Sequence, residues 1–365
     1  KRAEVLGLIS NQAFTIAIAG THGKTTTSAI LAHILKNAGI DVTAFLGGIS
    51  KNYNTNLLLA EKGNILIVEA DEYDRSFLHL KPDVAIITSV DADHLDIYET
   101  EQQLHEAFIQ FASQIKQKGL LLVEQSIAIK FPTPDEGAQL TYAANGKADY
   151  YADNIKVVDG KMRFDLSALD ILPGMSYEKK ELGIELMMPG IHNVSNTVAA
   201  AAVSCYLGLD CKKIVKGVSS FKGINRRFDI HVNTSDLAYI DDYAHHPMEV
   251  KAALDATQQL FPSREVTVVF QPHLFSRTQD FANEFAASLS EANDLILLDI
   301  YPARELPIKG VDSEMLLNLC TNAKKELCAK QDLIEVLENK KLDVLLTLGA
   351  GDIGALVEPI KHLLN

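Results

Sequence analysis

One lysine and a run of hydroxyl side chains sit directly behind a glycine turn in the segment Phe14–Thr27, FTIAIAGTHGKTTT. That grouping suits phosphate chemistry. Backbone N–H groups at a helix start face an anion, Lys24 adds a point charge, and a hydroxyl such as Thr25 can hold Mg2+. The pattern G-x-x-x-x-G-K-[ST], ending at Gly23-Lys24-Thr25, needs glycine where Ile18 stands, whereas Gly20 gives a tighter loop, G-T-H-G-K-T. An ordinary glycine turn is the alternative. The lysine and hydroxyls at a helix start favour an anion cradle formed by Gly20, Thr21, His22, Gly23, Lys24, Thr25 and Thr26.

Carboxylates follow a second apolar run, ILIV then Glu69-Ala70-Asp71-Glu72, and a third run leads into Thr88-Ser89-Val90-Asp91-Ala92-Asp93-His94. At the carboxyl end of a strand beside a phosphate loop, a carboxylate such as Glu69 reaches the metal on a nucleotide. A solvated acidic loop is the alternative. His94 alone is as readily structural as catalytic, and imidazole suits Zn or Mn better than Mg.

Three more polar clusters follow apolar runs in the second half: Asp241-Asp242-Tyr243-Ala244-His245-His246-Pro247, then Gln271–Thr278, then Asp299–Glu305. Each alone reads as a turn. Three at successive strand ends converge at a switch point. Gly349-Ala350-Gly351-Asp352-Ile353-Gly354 fits G-x-G-x-x-G, yet no room remains for a βαβ unit, so it reads as tight packing of the last strand on the last helix.

The elements behind these groups alternate. Strand-like runs at Thr15–Ala19, Ile65–Val68, Val84–Thr88 and Gly119–Val123 are separated by helical segments such as Thr25–Asn37, which predicts a parallel sheet flanked by helices. Residues 149–188 read as a β-rich insertion or sheet edge, followed by an alanine-rich helix over Asn196–Leu207. Strand candidates then resume at Ala238–Asp241, Val266–Phe270, Leu295–Asp299 and Val344–Leu348, with a helix starting near Pro247. The division falls at 1–221 and 222–365, which gives two α/β domains. The net charge of −14 argues against a general nucleic-acid or membrane-surface binder, so an anionic ligand has to be held by local geometry. Cys205, Cys211, Cys320 and Cys328 form no C-x-x-C pair and read as thiols of a reducing cytoplasm. The apolar stretch Val198–Leu209 is too short to span a bilayer.

These residues resemble the Mur ligase family over essentially the whole chain. The motifs are GTHGKTTT at 20–27, EADEYDRSFLHLKP at 69–82, DADHLD at 91–96, GIHNVSN at 190–196, GINRRFD at 223–229, DDYAHHP at 241–247 and FQPHLFSRT at 270–278. The last two look specific for the alanine-adding member, although Leu274 stands where some members have arginine. The resemblance implies a central P-loop-type ATPase domain with a mostly parallel sheet and a C-terminal Rossmann-like domain. It implies a cytoplasmic bacterial enzyme of peptidoglycan precursor synthesis, and so of cell-wall biogenesis, cell shape and division. The implied substrates are ATP, UDP-N-acetylmuramate and L-alanine, with Mg2+ or Mn2+ as cofactor and an acyl phosphate as intermediate.

By the same resemblance Lys24, His94 and His245 are catalytic, and Thr25, Glu69 and His94 hold metal. His192, Asn193 and Asn196 meet adenine; Asp242 with Arg226 or Arg227 reaches the nucleotide; Tyr243, His245 and Arg277 meet the amino acid. Capping of the helix that begins near Pro247 is the alternative role for His245 and His246. Family members carry a UDP-binding domain ahead of the segment matched by Lys1-Arg2-Ala3-Glu4, so this chain is expected to bind ATP but to turn over the UDP-sugar poorly. A muropeptide ligase, and a nucleotide-binding fragment without activity, are the competing readings.

Overall fold

The computed structural model describes residues 2–91, 98, 100–158, 160–168 and 183–365, in two compact units, Lys1–Asn225 and Arg226–Asn365. Among the described residues the first unit holds β1 (Phe14–Ala19), β2 (Val42–Ser50), β3 (Thr55–Leu58), β4 (Ile65–Ala70), β5 (Val84–Ile87), β6 (Leu120–Glu124), β7 (Ala138–Ala143), β8 (Tyr150–Val158), β9 (Lys161–Ala168) and β10 (Ile184–Leu186). They form one sheet in the order β10-β9-β8-β7-β6-β5-β1-β4-β2-β3. From β8 to β2 every neighbour is parallel; β3, β9 and β10 run antiparallel at the two margins. The edge expected over residues 149–188 is therefore present as β8 to β10.

Strand β1 is buried on both faces, as a central parallel strand must be. Ile16 and Ile18 face a core with Ile30, Ile34 and Leu35 of the helix Lys24–Asn37 and with Val194, Val198 and Ala201 of the helix Ile191–Tyr206. Ala17 and Ala19 point the other way, towards Phe77, Phe108 and Phe111. Alternation along one strand thus separates two cores, and alanine-rich 198–203 lets the second helix approach the first closely. Residues 222–225 belong with this unit. Lys51 N donates to Gly223 O (3.0 Å), Asn225 N donates to Ile49 O (3.0 Å), and Ile224 is buried in the first core.

The second unit holds β11 (Asp229–Asn233), β12 (Ala238–Asp242), β13 (Val266–Phe270), β14 (Asp294–Leu297), β15 (Lys324–Leu327) and β16 (Val344–Leu348), in the order β11-β12-β16-β13-β14-β15. Only β11 is antiparallel to its neighbour. The helix Pro247–Leu260 starts with proline in its first turn, as expected. The glycine cluster after β16 packs differently from the expectation. A Cβ on Gly351 would lie 2.4 Å from Gln271 Oε1, and one on Gly354 would lie 2.5 Å from Arg226 Nη1. These glycines make room for side chains from neighbouring strand ends, not for the last helix. No helix among the described residues is long and apolar enough to cross a membrane.

Candidate active site

The glycine loop expected to cradle phosphate leaves β1 at Gly20 and enters the helix at Lys24. Gly20 (φ 136°) and Gly23 (φ 85°) adopt conformations that a side chain would strain, and a Cβ on Gly20 would lie 2.1 Å from Thr88 Oγ1. The segment after β5 holds the loop from behind. Thr88 Oγ1 donates to Ala19 O (3.1 Å) and to His22 O (2.5 Å), and His22 N donates to Ser89 Oγ (2.8 Å). Thr21 and Ser89 share a hydroxyl hydrogen bond of 2.8 Å, and Asp91 N donates to Thr21 Oγ1. The loop is thus preorganised by a neighbouring strand end.

Lys24 Nζ donates to Gly20 O (2.6 Å) and to Glu72 Oε1 and Oε2 (2.9 and 2.7 Å). Burial alone would lower its pKa. The carboxylate of Glu72, with Asp71 and Glu69 beyond it, outweighs burial and holds the ammonium above its ordinary value. Thr25 Oγ1 donates to Glu69 Oε2 (2.9 Å), Ser28 Oγ donates to Glu69 Oε1 (3.1 Å), and Gly47 N also donates to Oε1. Glu69 lies within β4, not after it, in register with Ile18 of β1. Strand adjacency in the order β5-β1-β4 therefore brings Lys24, Thr25 and Glu69 together. His94 lies outside the described residues. Among the described residues no cluster of three or more His, Cys, Asp and Glu forms a metal cage. A hydroxyl and one carboxylate beside a phosphate loop nevertheless fit Mg2+, which takes few protein ligands and completes its shell with phosphate and water.

Asn196 reaches the same loop. Thr27 Oγ1 donates to Asn196 Oδ1 (3.2 Å), and a Cβ on Gly23 would lie 2.6 Å from that oxygen. Asn193 is buried and donates through Nδ2 to Pro189 O (2.7 Å), while His192 is half-buried in the first turn of the same helix.

The second unit gathers its candidates around β12. Arg226 donates through Nε to Asp241 Oδ2 (2.8 Å) and through Nη2 to Gly349 O (2.7 Å). Arg227 has a long ion pair with Glu249 (3.8 Å), and both arginines lie over the Tyr243 ring, at 5.3 Å for Arg226 and 5.2 Å for Arg227. Asp242 accepts from Phe228 N (2.6 Å) and Ala244 N (2.7 Å). Burial nonetheless pushes its pKa up to about 6, against the pull of Arg227 and those two amides.

His245 Nδ1 lies 2.9 Å from Tyr243 O and 3.3 Å from Glu249 Oε2. Both are acceptors, so the neutral ring carries its proton on Nδ1 and leaves Nε2 as acceptor. Burial lowers the His245 pKa, outweighing Glu249. His273 meets His245 edge-on at 5.7 Å and stacks on Tyr301; burial, then His245 and Arg277, lower its pKa to about 4. Arg277 is buried in the short helix Phe275–Asp280. His246 is the N-cap of the helix Pro247–Leu260 and forms a capping box with Glu249. Capping is therefore the role of His246, while His245 turns towards Tyr243 and His273.

The residues absent from the sequence reading as site members are Glu72, Gly47, Glu249 and His273. Gly47-Gly48 carried a readable signal, since paired glycines in an apolar run mark a close backbone approach. A Cβ on Gly47 would lie 2.5 Å from Glu69 Oε2 and 2.6 Å from Thr25 Oγ1.

Comparison with known proteins places this geometry. The family model for the Mur ligase middle domain matches residues 18–204, and that for the Mur ligase glutamate ligase domain matches residues 226–351. The UDP-N-acetylmuramate–L-alanine ligase of Flavobacterium johnsoniae is 47% identical over 365 residues, covering 100% of this chain and 78% of the relative. That of Parabacteroides distasonis is 46% identical, covering 100% and 77%. Among solved structures, UDP-N-acetylmuramate-alanine ligase from Thermotoga maritima aligns with a TM-score of 0.75 at 26% identity, over 99% of this chain and 78% of that one. The MurF ligase of the same organism in complex with ADP shares the fold, with a TM-score of 0.73 at 19% identity, over 100% and 84%. Two matched domains and near-half identity along its whole length settle the kinship: the chain belongs to the Mur ligase family.

Proposed function

We propose that this chain joins L-alanine to UDP-N-acetylmuramate in an ATP-dependent reaction that releases ADP and phosphate. The observation that carries this reading is the whole-length likeness to ligases of that activity. The muramoyl carboxylate takes the γ-phosphoryl group of ATP to give an acyl phosphate, the alanine amine attacks its carbonyl carbon, and phosphate leaves as the amide forms. The loop from Gly20 to Thr26 supports this by presenting N–H donors and the Lys24 ammonium where negative charge accumulates. Thr25 and Glu69 would hold Mg2+, which supplies charge neutralisation on the transferring phosphoryl group. His94 remains assigned to the metal by resemblance only.

Of the two arginines, Arg227 is the one left to meet an anionic nucleotide, because Arg226 is engaged by Asp241 and Gly349. Arg277 offers a donor fork matched to the alanine carboxylate. The His245 Nε2 acceptor suits the proton of the attacking amine, and Tyr243 lines the same cluster. Such an enzyme works in the bacterial cytoplasm, where its nucleotide substrates are. The test is ADP release with UDP-N-acetylmuramate and single amino acids, on this chain and on one extended to the length of its relatives. L-Alanine should be the preferred amine; equal rates with all amino acids, or preference for a peptide, would refute the reading.

A further inference from the structure

Glu72 is a carboxylate with no exposure to solvent, and it lies against the one lysine of the phosphate loop. The Lys24 ammonium has three N–H donors. Gly20 O and the two Glu72 oxygens account for three hydrogen bonds, all between 2.6 and 2.9 Å. A phosphate can therefore claim Lys24 only by displacing a partner it already has. The backbone that presents Glu72 is held from several sides. Tyr98 Oη donates to Glu72 O (2.5 Å), and Arg75 N donates to the same oxygen (2.9 Å). Asp74 and Arg75 follow with φ of 53° and 54°, two successive left-handed residues without glycine. Arg75 lies over the Tyr98 ring at 5.4 Å, and buried Phe77 stacks on Phe111 at 5.0 Å, which locks the turn. Strain of this kind persists where surrounding packing over-determines it, and it concentrates at functional sites.

We propose that Glu72 is a positioning residue that holds Lys24 drawn back in the empty loop and exchanges it for nucleotide phosphate on binding. Glu72 then opposes nucleotide binding twice. It occupies the ammonium, and its own charge faces incoming phosphate from a position buried from solvent, where screening is weak. In return it sets the direction from which the ammonium meets the phosphoryl group, so turnover gains what affinity loses. The inference rests on the loop being the ATP site.

The experiment is calorimetric titration of ADP into this chain and its E72Q and E72D variants, with thermal melts, and with ADP release measured as a second readout on the same variants of a chain extended to the length of its relatives. E72Q keeps the shape and removes the charge. It should bind ADP tighter by on the order of tenfold while turning over more slowly. E72D keeps the charge but shortens the arm, so its ADP affinity should stay near that of the unaltered chain while turnover falls. ADP affinity in E72Q equal to or weaker than that of the unaltered chain, at an unchanged melting temperature, would overturn the inference. So would undiminished turnover in E72D, the readout that decides if E72Q does not fold. Absence of ADP binding by the unaltered chain would instead remove the nucleotide reading, and this inference with it.

Discussion

Replacing Asp242 with asparagine should change how the stability of the second unit depends on pH. In the folded chain burial pushes the Asp242 pKa from 3.8 to about 6. A carboxyl with a raised pKa favours the folded state when protonated. Its contribution is fully present below the unfolded value and is lost as pH rises through the folded one. The whole difference corresponds to about 3 kcal/mol, of which about 2 kcal/mol falls between pH 4.5 and 7.5. Asp242→Asn removes this titration. It also replaces one of two acceptor oxygens with an amide NH2, which cannot serve both Phe228 N and Ala244 N and so costs about 1–3 kcal/mol at any pH. Denaturant unfolding of both proteins across that range isolates the titrating part, because every other group cancels in the difference. The wild-type advantage over Asp242→Asn should shrink by about 2 kcal/mol from pH 4.5 to 7.5. A difference that stays flat, or that grows with pH, would refute the assignment of a raised pKa to this carboxyl.

Lys24→Ala should abolish ligase activity, but the fold is not expected to be untouched: it takes from the buried Glu72 carboxylate its lysine partner, a loss of about 3–5 kcal/mol readable as a lower melting temperature. Lys24→Met combined with Glu72→Gln should recover most of that stability and none of the activity. Arg226→Ala should lower the melting temperature, since it leaves buried Asp241 without its cation, whereas Arg227→Ala should weaken ATP binding and leave the melt nearly unchanged. The reverse pattern in melts and ATP titrations would exchange the two assignments.

The two sheets were legible wherever a strand is buried on both faces. β1, β4, β13 and β16 are mostly apolar runs; β1, β13 and β16 are legible almost to the residue, whereas the charge of Glu69 cuts β4 short by two. β2 escaped because Gly47 and Gly48 interrupt its run, although their closeness to Glu69 and Ile224 is why glycine stands there. The glycine loop ahead of the helix Lys24–Asn37 was legible because glycine, lysine and hydroxyls adjoin in sequence. Glu72 was quoted as part of an acidic stretch, yet nothing local distinguishes it from Asp71: 48 residues separate it from Lys24, and only the order of β1 and β4 brings them together. The roles of His245 and His246 could not be separated before the helix start was fixed. One residue decides which ring caps and which turns inward.

The strand hardest to see carries a consequence of its own. β15 reads Lys324-Lys325-Glu326-Leu327 and is one of the two edge strands of its sheet. An outermost strand offers a free ladder of amides and carbonyls on which another chain can extend the sheet. Here any chain that approached in that manner would have to strip water from Lys324 and Lys325, which are exposed. Charge in this short segment hides it from a hydropathy reading, and the same charge makes this margin of the sheet a poor template for further strands.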